Sequence, residues 1–159
     1  MIDDQRLTLK STWPLKDCAN PSGLALDQTL SRLFSACEDR VMAISDARSG
    51  RTIAHVPIGD GPDGAVFDAD RHLVFCPNGE GTLTIVNTDS RKRYTIAQTL
   101  PTQRGARTLA LDSQRHRLYL VTAQYGAAPA SKTERPHPRP PILPDTMTVL
   151  VIGSDNALP

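Results

Sequence analysis

Residues 64–76 read GAVFDADRHLVFC, an apolar run that ends in an aspartate, a polar turn and a second apolar run. The same arrangement recurs twice: upstream as GLALD at 23–27 followed by RLFSA at 32–36, and downstream as TLALD at 108–112 followed by RLYLV at 117–121. The aspartates Asp27, Asp68 and Asp112 are 41 and 44 residues apart. A repeat of about 40–45 residues built of short strands has the size of one four-stranded β-propeller blade.

Each repeat divides into short strands separated by turn residues. The first strand is apolar on both faces, which is typical of a sheet packed between neighbouring sheets. The aspartate after it can accept backbone N–H groups two residues on and open the turn. In the middle repeat Asn78-Gly79 separates two apolar runs, which is a strong hairpin signal. The predicted second strands are 32–36, 72–76 and 117–121, the third strands 41–45, 82–87 and 146–152, and the fourth strands 52–58 and 94–100.

The strands predict an all-β chain, a single partial β-propeller domain over residues 1–159 with about three four-stranded blades. The blade repeats span about 21–61, 62–105 and 106–153, and residues 1–20 are expected to hold the final strand of a preceding blade, Arg6–Trp13. The third repeat has no fourth strand. Because rings usually need four to eight blades, either most of the ring is missing from this chain or a homodimer that exchanges the N-terminal strand completes a six-bladed ring.

The composition excludes several classes of protein. The 159 residues carry 18 Lys+Arg and 17 Asp+Glu, a net charge of +1, so no strongly basic field argues for a nucleic-acid partner. Aromatic residues make up 4% of the chain, too few for a stacking surface, although single-stranded nucleic-acid binding stays as an alternative. No apolar run is long enough to span a membrane. The N-terminus has neither a basic nor an apolar region, so we expect no signal peptide.

Two features resemble the YVTN-repeat β-propellers. Residues 75–87, FCPNGEGTLTIVN, resemble the repeat that names the family, with Asn78 in the place of its asparagine, and PIGDGPDG at 57–64 resembles the linker between repeats. PSGLALD at 21–27, RLFSAC at 32–37, GARTLALD at 105–112 and PHPRP at 136–140 resemble the C-terminal half of YncE-like proteins. The resemblance implies a ring of about seven blades, a non-catalytic binding or scaffold module, and a full-length parent that is periplasmic or secreted. The N-terminal half of such proteins is not found in this chain.

The candidate ligand site is the mouth of the ring. Ser22, Asp63 and Arg107 occupy equivalent positions just before the innermost strands, where loops of several blades converge and ligands commonly bind. Arg107 offers a planar fork of donors for a carboxylate or a phosphate. Asp63 either binds a cation or pairs with Arg107 one blade away. A protein or a small molecule is therefore the expected partner.

The cysteines Cys18, Cys37 and Cys76 form no C-x-x-C pair, so neither a zinc site nor a redox motif is predicted. The turn near residues 28–31 places Cys37 roughly opposite Ser22, close to the approach from Cys18. If the parent protein is exported, as the resemblance implies, a Cys18–Cys37 disulfide is one interpretation and two reduced thiols are the other. Cys76 is expected to be a small core residue.

No catalytic residue, metal site or cofactor is predicted. His72 and His116 fall in equivalent turns and are interpreted as surface residues, His55 lies on an outer strand, and the histidines do not gather at metal-ligand spacing. The alternative is a propeller enzyme, lactonase-like or quinone-dependent oxidoreductase-like, which needs two or more inward carboxylates and metal ligands. Only Asp63 is placed for that role.

The segment 124–145 is a proline-rich insertion between two strands of the last repeat. Prolines in such a tract favour extended polyproline geometry. Its basic residues are Lys132, Arg135, His137 and Arg139, and a second basic cluster is Arg91-Lys92-Arg93. The insertion is interpreted as a long surface loop, with a docking strand for a partner protein or part of a lid over the channel as the alternatives.

Overall fold

The computed structural model describes residues 2–3, 5–88, 93–130 and 140–153, with residues 2–3 described as backbone only. The described residues form short antiparallel strands. They are β1 Ile2–Asp3, β2 Thr8–Leu9, β3 Pro21–Asp27, β4 Arg32–Cys37, β5 Val41–Asp46, β6 Thr52–Pro57, β7 Val66–Asp68, β8 Leu73–Asn78, β9 Thr82–Asn87, β10 Thr95–Pro101, β11 Thr108–Asp112, β12 Arg117–Thr122 and β13 Thr148–Ile152. Among these residues we find no helix of the length and apolarity that crossing a bilayer requires.

The strands assemble into three consecutive blades. Blade 1 has the strand order β3-β4-β5-β6, blade 2 the order β7-β8-β9-β10, and blade 3 the order β11-β12-β13. Each strand pairs antiparallel with the next along the chain, as in a meander. The prediction of an all-β partial β-propeller is therefore confirmed, and in the described chain blade 3 ends at its third strand.

The core lies between the blades. Phe34 of blade 1 is fully buried and stacks on Phe67 of blade 2 with ring centroids 5.8 Å apart, and Tyr94 meets it edge-on at 6.1 Å. Gly23 of β3 lies against Gly64, where a Cβ atom would come within 2.5 Å of the Gly64 carbonyl carbon. The missing side chain lets the first strands of blades 1 and 2 approach each other closely.

The interface between blades 2 and 3 repeats the same arrangement. Phe75, at the position equivalent to Phe34, packs with Leu118 and Leu120 of β12, and Leu109 and Leu111 of β11 lie against this cluster. Blade stacking thus follows from residues at equivalent positions of the repeat.

The arc leaves two blade faces open. Leu24 and Leu26 of β3, whose neighbours in sequence face blade 2, are 62% and 46% exposed. At the other end of the arc Val149 and Val151 of β13 are 60% and 58% exposed. An open arc of three blades therefore leaves apolar side chains in contact with water at both of its ends.

The N-terminal segment differs from the predicted strand Arg6–Trp13. Leu7 has φ 51° in a turn, so the chain folds back and Thr8–Leu9 pairs with Ile2–Asp3 instead of with a blade. The following residues cover the outer half of the open face of blade 1: Cys18 is bonded to Cys37, and the Lys16 carbonyl lies 3.1 Å from His55 Nε2. The described part of residues 1–20 thus contains the strand Thr8–Leu9 and a strap, residues 10–20, that runs along blade 1.

The two ends of the strands differ in structure. At the "turn end" of each blade the first strand turns into the second, and an aspartate accepts the backbone N–H groups of that turn, as predicted: Asp27 from Leu30, Asp68 from Asp70 and Arg71, and Asp112 from Gln114 and Arg115. At the "linker end" residues 58–65 lead from β6 into β7, and residues 102–107 lead from β10 into β11. The turn that joins β8 to β9 lies at the same end.

Candidate functional site

The linker end holds a pocket of about 340 Å³ between blades 2 and 3. Its lining combines glycines, arginines and apolar side chains: Gly61, Gly79, Arg104, Gly105, Arg107, Tyr125, Pro140 and Ile142. This volume is within the range of small-molecule sites in proteins, which are apolar cavities with a few polar groups that fix orientation.

Three glycines from successive loops form a hydrogen-bonded row in the pocket. The Gly79 N–H donates to the Gly61 carbonyl and the Gly105 N–H donates to the Gly79 carbonyl, each at 2.8 Å. The row carries no side chains, so a ligand can approach the backbone closely.

Buried polar contacts fix the turn that supplies Gly79. The Asn78 side chain is fully buried and donates to Thr82 Oγ1 at 2.9 Å and to Thr84 Oγ1 at 3.0 Å. Asn78, which stands in the place of the asparagine of the YVTN repeat, holds the β8–β9 hairpin beneath the pocket.

The structure brings together two of the three residues predicted at the ring mouth. Arg107 Nε lies 3.4 Å from Asp63 Oδ2, and both side chains are about two-fifths exposed. Ser22 is elsewhere: its hydroxyl donates to the Pro62 carbonyl at 2.7 Å, one blade earlier, and it does not line the pocket. Of the two roles expected for Asp63, the structure shows the ion pair with Arg107. A half-exposed pair of this kind adds about 0–1 kcal/mol to the free energy of unfolding.

Sequence reasoning missed two residues of the pocket, Arg104 and Tyr125. Arg104 lies in the same linker as Arg107 and is exposed, and among the described residues no acidic side chain pairs with it. The spacing of two arginines three residues apart in one linker was the available signal. Tyr125 comes from the insertion, where a bridge to Ile142 holds it over the linker, and no local pattern indicates that position.

The Tyr125 ring packs on Gly105, whose φ is +83°. A Cβ atom at Gly105 would come within 2.5 Å of Tyr125 Cε2. Glycine is therefore required here both by the backbone conformation and by the approach of the ring.

The turn end carries a different group. His116 of blade 3 lies with Nδ1 2.7 Å from Asp68 Oδ2 of blade 2, and Asp68 is 1% exposed. His116 lies in the turn, as predicted, but it is only partly exposed, and it reaches across the blade interface to a buried carboxylate, which its interpretation as a surface residue did not include. The equivalent His72 is exposed.

Asp70 completes a cluster with this pair. One ligand atom from each of Asp68, Asp70 and His116 lies within 4.8 Å of the others. Both Asp68 oxygens already have hydrogen-bond partners, because Oδ1 accepts two backbone N–H groups and Oδ2 contacts His116. The backbone hydrogen bonds to Asp68 hold the turn, and its contact with His116 joins blades 2 and 3.

Two partly exposed carboxylates of the turn end have lowered pKa values. Backbone N–H groups of Ser49 and Arg48 hold the pKa of Asp46 below its ordinary value, with Ser49 the larger contribution. The side chain of Arg115, followed by its backbone N–H, lowers the pKa of Asp112.

The three cysteines divide into a bonded pair and a buried thiol. Cys18 and Cys37 form a disulfide with their Cα atoms 5.3 Å apart. Cys76 is fully buried, and burial raises the pKa of its thiol to about 12, so it is a core residue and a poor nucleophile at neutral pH.

The basic residues of the insertion lie outside the described residues. These are Lys132, Arg135, His137 and Arg139, and of the second basic cluster the same holds for Arg91 and Lys92. The described base of the insertion is closed by hydrogen bonds from the Gly126 N–H to the Pro141 carbonyl and from the Leu143 N–H to the Gln124 carbonyl.

Comparison with known proteins supports the fold. Neither a protein-family profile nor a curated protein sequence matches the chain. Among solved structures, hydrazine synthase from Kuenenia stuttgartiensis superposes with a TM-score of 0.59 at 15% identity, over 87% of this chain and 40% of that one. The dihydro-haem d1 dehydrogenase NirN superposes with a TM-score of 0.59 at 14% identity, over 99% of this chain and 39% of that one.

Both structural relatives are β-propeller proteins, and this chain spans about two-fifths of their length. At 14–15% identity the likeness concerns the fold alone. The chemistry of this chain has to be argued from its own residues.

Proposed function

We propose that this chain is a non-catalytic binding module of the YncE-like, YVTN-repeat type that takes a small anion in the linker-end pocket. The observation that carries the proposal is the pairing of two arginines, Arg104 and Arg107, with glycine backbone in one concave site. Guanidinium groups recognise carboxylates and phosphates through charge and paired donors.

The surroundings of the arginines support a ligand in preference to a merely structural ion pair. Asp63 neutralises Arg107, whereas Arg104 keeps an uncompensated charge among the described residues. The apolar side chains of Tyr125 and Ile142 beside it reduce the exposure of a bound anion to water, which strengthens the attraction.

Isothermal titration with acetate at low ionic strength tests this function. The proposal predicts saturable binding that weakens about fivefold to tenfold, 1–1.4 kcal/mol, in Arg104→Gln and in Arg107→Gln. Arg115→Gln is the matched control, because Arg115 is a paired, exposed arginine at the turn end, and it should bind acetate as the unaltered chain does. Equal loss in all three variants, or no binding at all, would overturn the proposal.

A homodimer that completes the ring is a second proposal, which rests on the open faces of blades 1 and 3. Exposed Leu24 and Leu26 at one end, and Val149 and Val151 at the other, provide apolar surface that blades normally bury against each other. Light scattering should then give twice the chain mass of 17.3 kDa. A solution that holds only folded monomer at the highest attainable concentration argues against the dimer.

For the full-length parent we propose a periplasmic or secreted location. The support is the Cys18–Cys37 bond, because disulfides persist in oxidising compartments. Thiol titration of the protein purified from its native host and unfolded without reductant should count one thiol, Cys76. Three titratable thiols would contradict the location and the bridge together.

A further inference from the structure

We infer that the ligand of the linker-end pocket is an aryl monocarboxylate, an aromatic ring that carries a single carboxylate. This inference rests on the proposed function and adds the chemical class of the anion. It is carried by the charge balance of the pocket and by the position of the Tyr125 ring.

The charge balance favours a single negative charge. Arg104 and Arg107 contribute two positive charges, and the Asp63 carboxylate 3.4 Å from Arg107 offsets one of them. A monoanion therefore neutralises the site, whereas a dianionic phosphate would bring a surplus negative charge close to Asp63.

The apolar part of the pocket favours an aromatic body. Tyr125 is held in place by Gly105 on one side and by its bridge to Ile142, and it remains 38% exposed. Ile142 is 56% exposed, and with Pro140 it lines the same pocket. An exposed aromatic ring beside exposed aliphatic groups can cover a flat hydrophobic ligand, and ring stacking adds about 0.5–1.5 kcal/mol to area burial.

The two sets of groups lie in one cavity of about 340 Å³. A ligand that spans them has its carboxylate on Arg104 and its ring against Tyr125. The glycine row of Gly61, Gly79 and Gly105 leaves room between them, because no side chain projects from it.

The test is calorimetric titration of the chain with benzoate, acetate and inorganic phosphate under one buffer and salt condition. Benzoate is expected to bind about tenfold more tightly than acetate, and phosphate no more tightly than acetate. Tyr125→Leu should lower benzoate affinity at least fivefold and acetate affinity less than twofold, about the contribution of one aromatic contact. The matched control is Tyr119→Leu, because Tyr119 lies on the open face of blade 3, away from the pocket.

Gly105→Ala provides a second variant, because the added Cβ displaces the Tyr125 ring without removing it, although it also strains the backbone at φ +83°. It should lose the preference for benzoate as Tyr125→Leu does, and thermal unfolding of each variant establishes that it is folded. If acetate and phosphate bind in an Arg104-dependent way but benzoate binds no better, the aryl inference is overturned and the proposed anion site stands. If none of the three probes binds, the proposed function itself fails.

Discussion

Both ends of the blades carry arginines and aspartates in their loops, but these side chains make different contacts at the two ends. At the turn end a buried carboxylate, Asp68, has all its contacts satisfied by backbone N–H groups and by His116. At the linker end the ion pair between Asp63 and Arg107 is half-exposed, and Arg104 stands beside it over a pocket. A satisfied, buried group stabilises the fold, whereas an exposed charge with open space in front of it can bind a ligand.

Removal of the Asp68 carboxylate should have the largest effect on stability. Asp68→Ala leaves two turn N–H groups and His116 without their acceptor at a buried site, so we expect the free energy of unfolding to fall by about 3 kcal/mol. Guanidinium denaturation measures the change. Asp112→Ala is the control, because Asp112 closes the same turn in blade 3 but is partly exposed, and it should lose much less. Equal losses would mean that the cross-blade contact contributes little.

His116 tests the cross-blade half of that contact. We expect His116→Ala to cost about 1–1.5 kcal/mol, because one oxygen of a buried carboxylate loses its partner. His72→Ala removes the equivalent exposed histidine and should change stability by less than about 0.5 kcal/mol. Chelator should leave the unfolding midpoint of the unaltered chain where it was. A large drop with chelator would instead assign Asp68, Asp70 and His116 to a metal ion.

Asp63 should behave in the opposite way to Asp68. Asp63→Asn releases Arg107 from a half-exposed pair, so the free energy of unfolding should fall by less than about 1 kcal/mol. Acetate should bind about threefold more tightly, because the arginine charge becomes available. Titration and denaturation of the same preparation measure both quantities. Weaker acetate binding in Asp63→Asn would show that the pair positions Arg107 for the ligand.

The smallest predicted effect is a loss of stability at low pH. The pKa values of Asp46 and Asp112 are lowered in the folded chain, so their contributions to stability are complete above the unfolded pKa and disappear as the pH falls through the folded pKa. The temperature of thermal unfolding should therefore be constant near neutral pH and should fall below about pH 4. Asp46→Asn with Asp112→Asn should flatten that decline. An undiminished decline in the double variant would assign it to other carboxylates.

The repeat allowed the fold to be predicted because its signals are local. The aspartates after the first strands, the Asn78-Gly79 hairpin and the period of about 40 residues each act within one blade. The predicted strand Arg6–Trp13 is observed only at Thr8–Leu9, because a strand depends on a neighbour to pair with and the turn at Leu7 brings Ile2–Asp3 beside it.

The site was only partly predictable for a related reason. Asp63 and Arg107 were found by equivalence between repeats, since both precede an innermost strand. Tyr125 and His116 escaped because their roles depend on contacts between distant segments, the bridge from Tyr125 to Ile142 and the register between neighbouring turns. Neither contact follows from periodicity or from turn chemistry.

The contrast between the two ends is tested most directly by NMR, by mapping the backbone amide shifts of the chain during a benzoate titration. Our account predicts saturable shifts confined to the linker end, at Gly79, Gly105 and Tyr125, with no change in the turn from Asp68 to His72. Shifts that appear at the turn end, or none that saturate at the linker end, would contradict it.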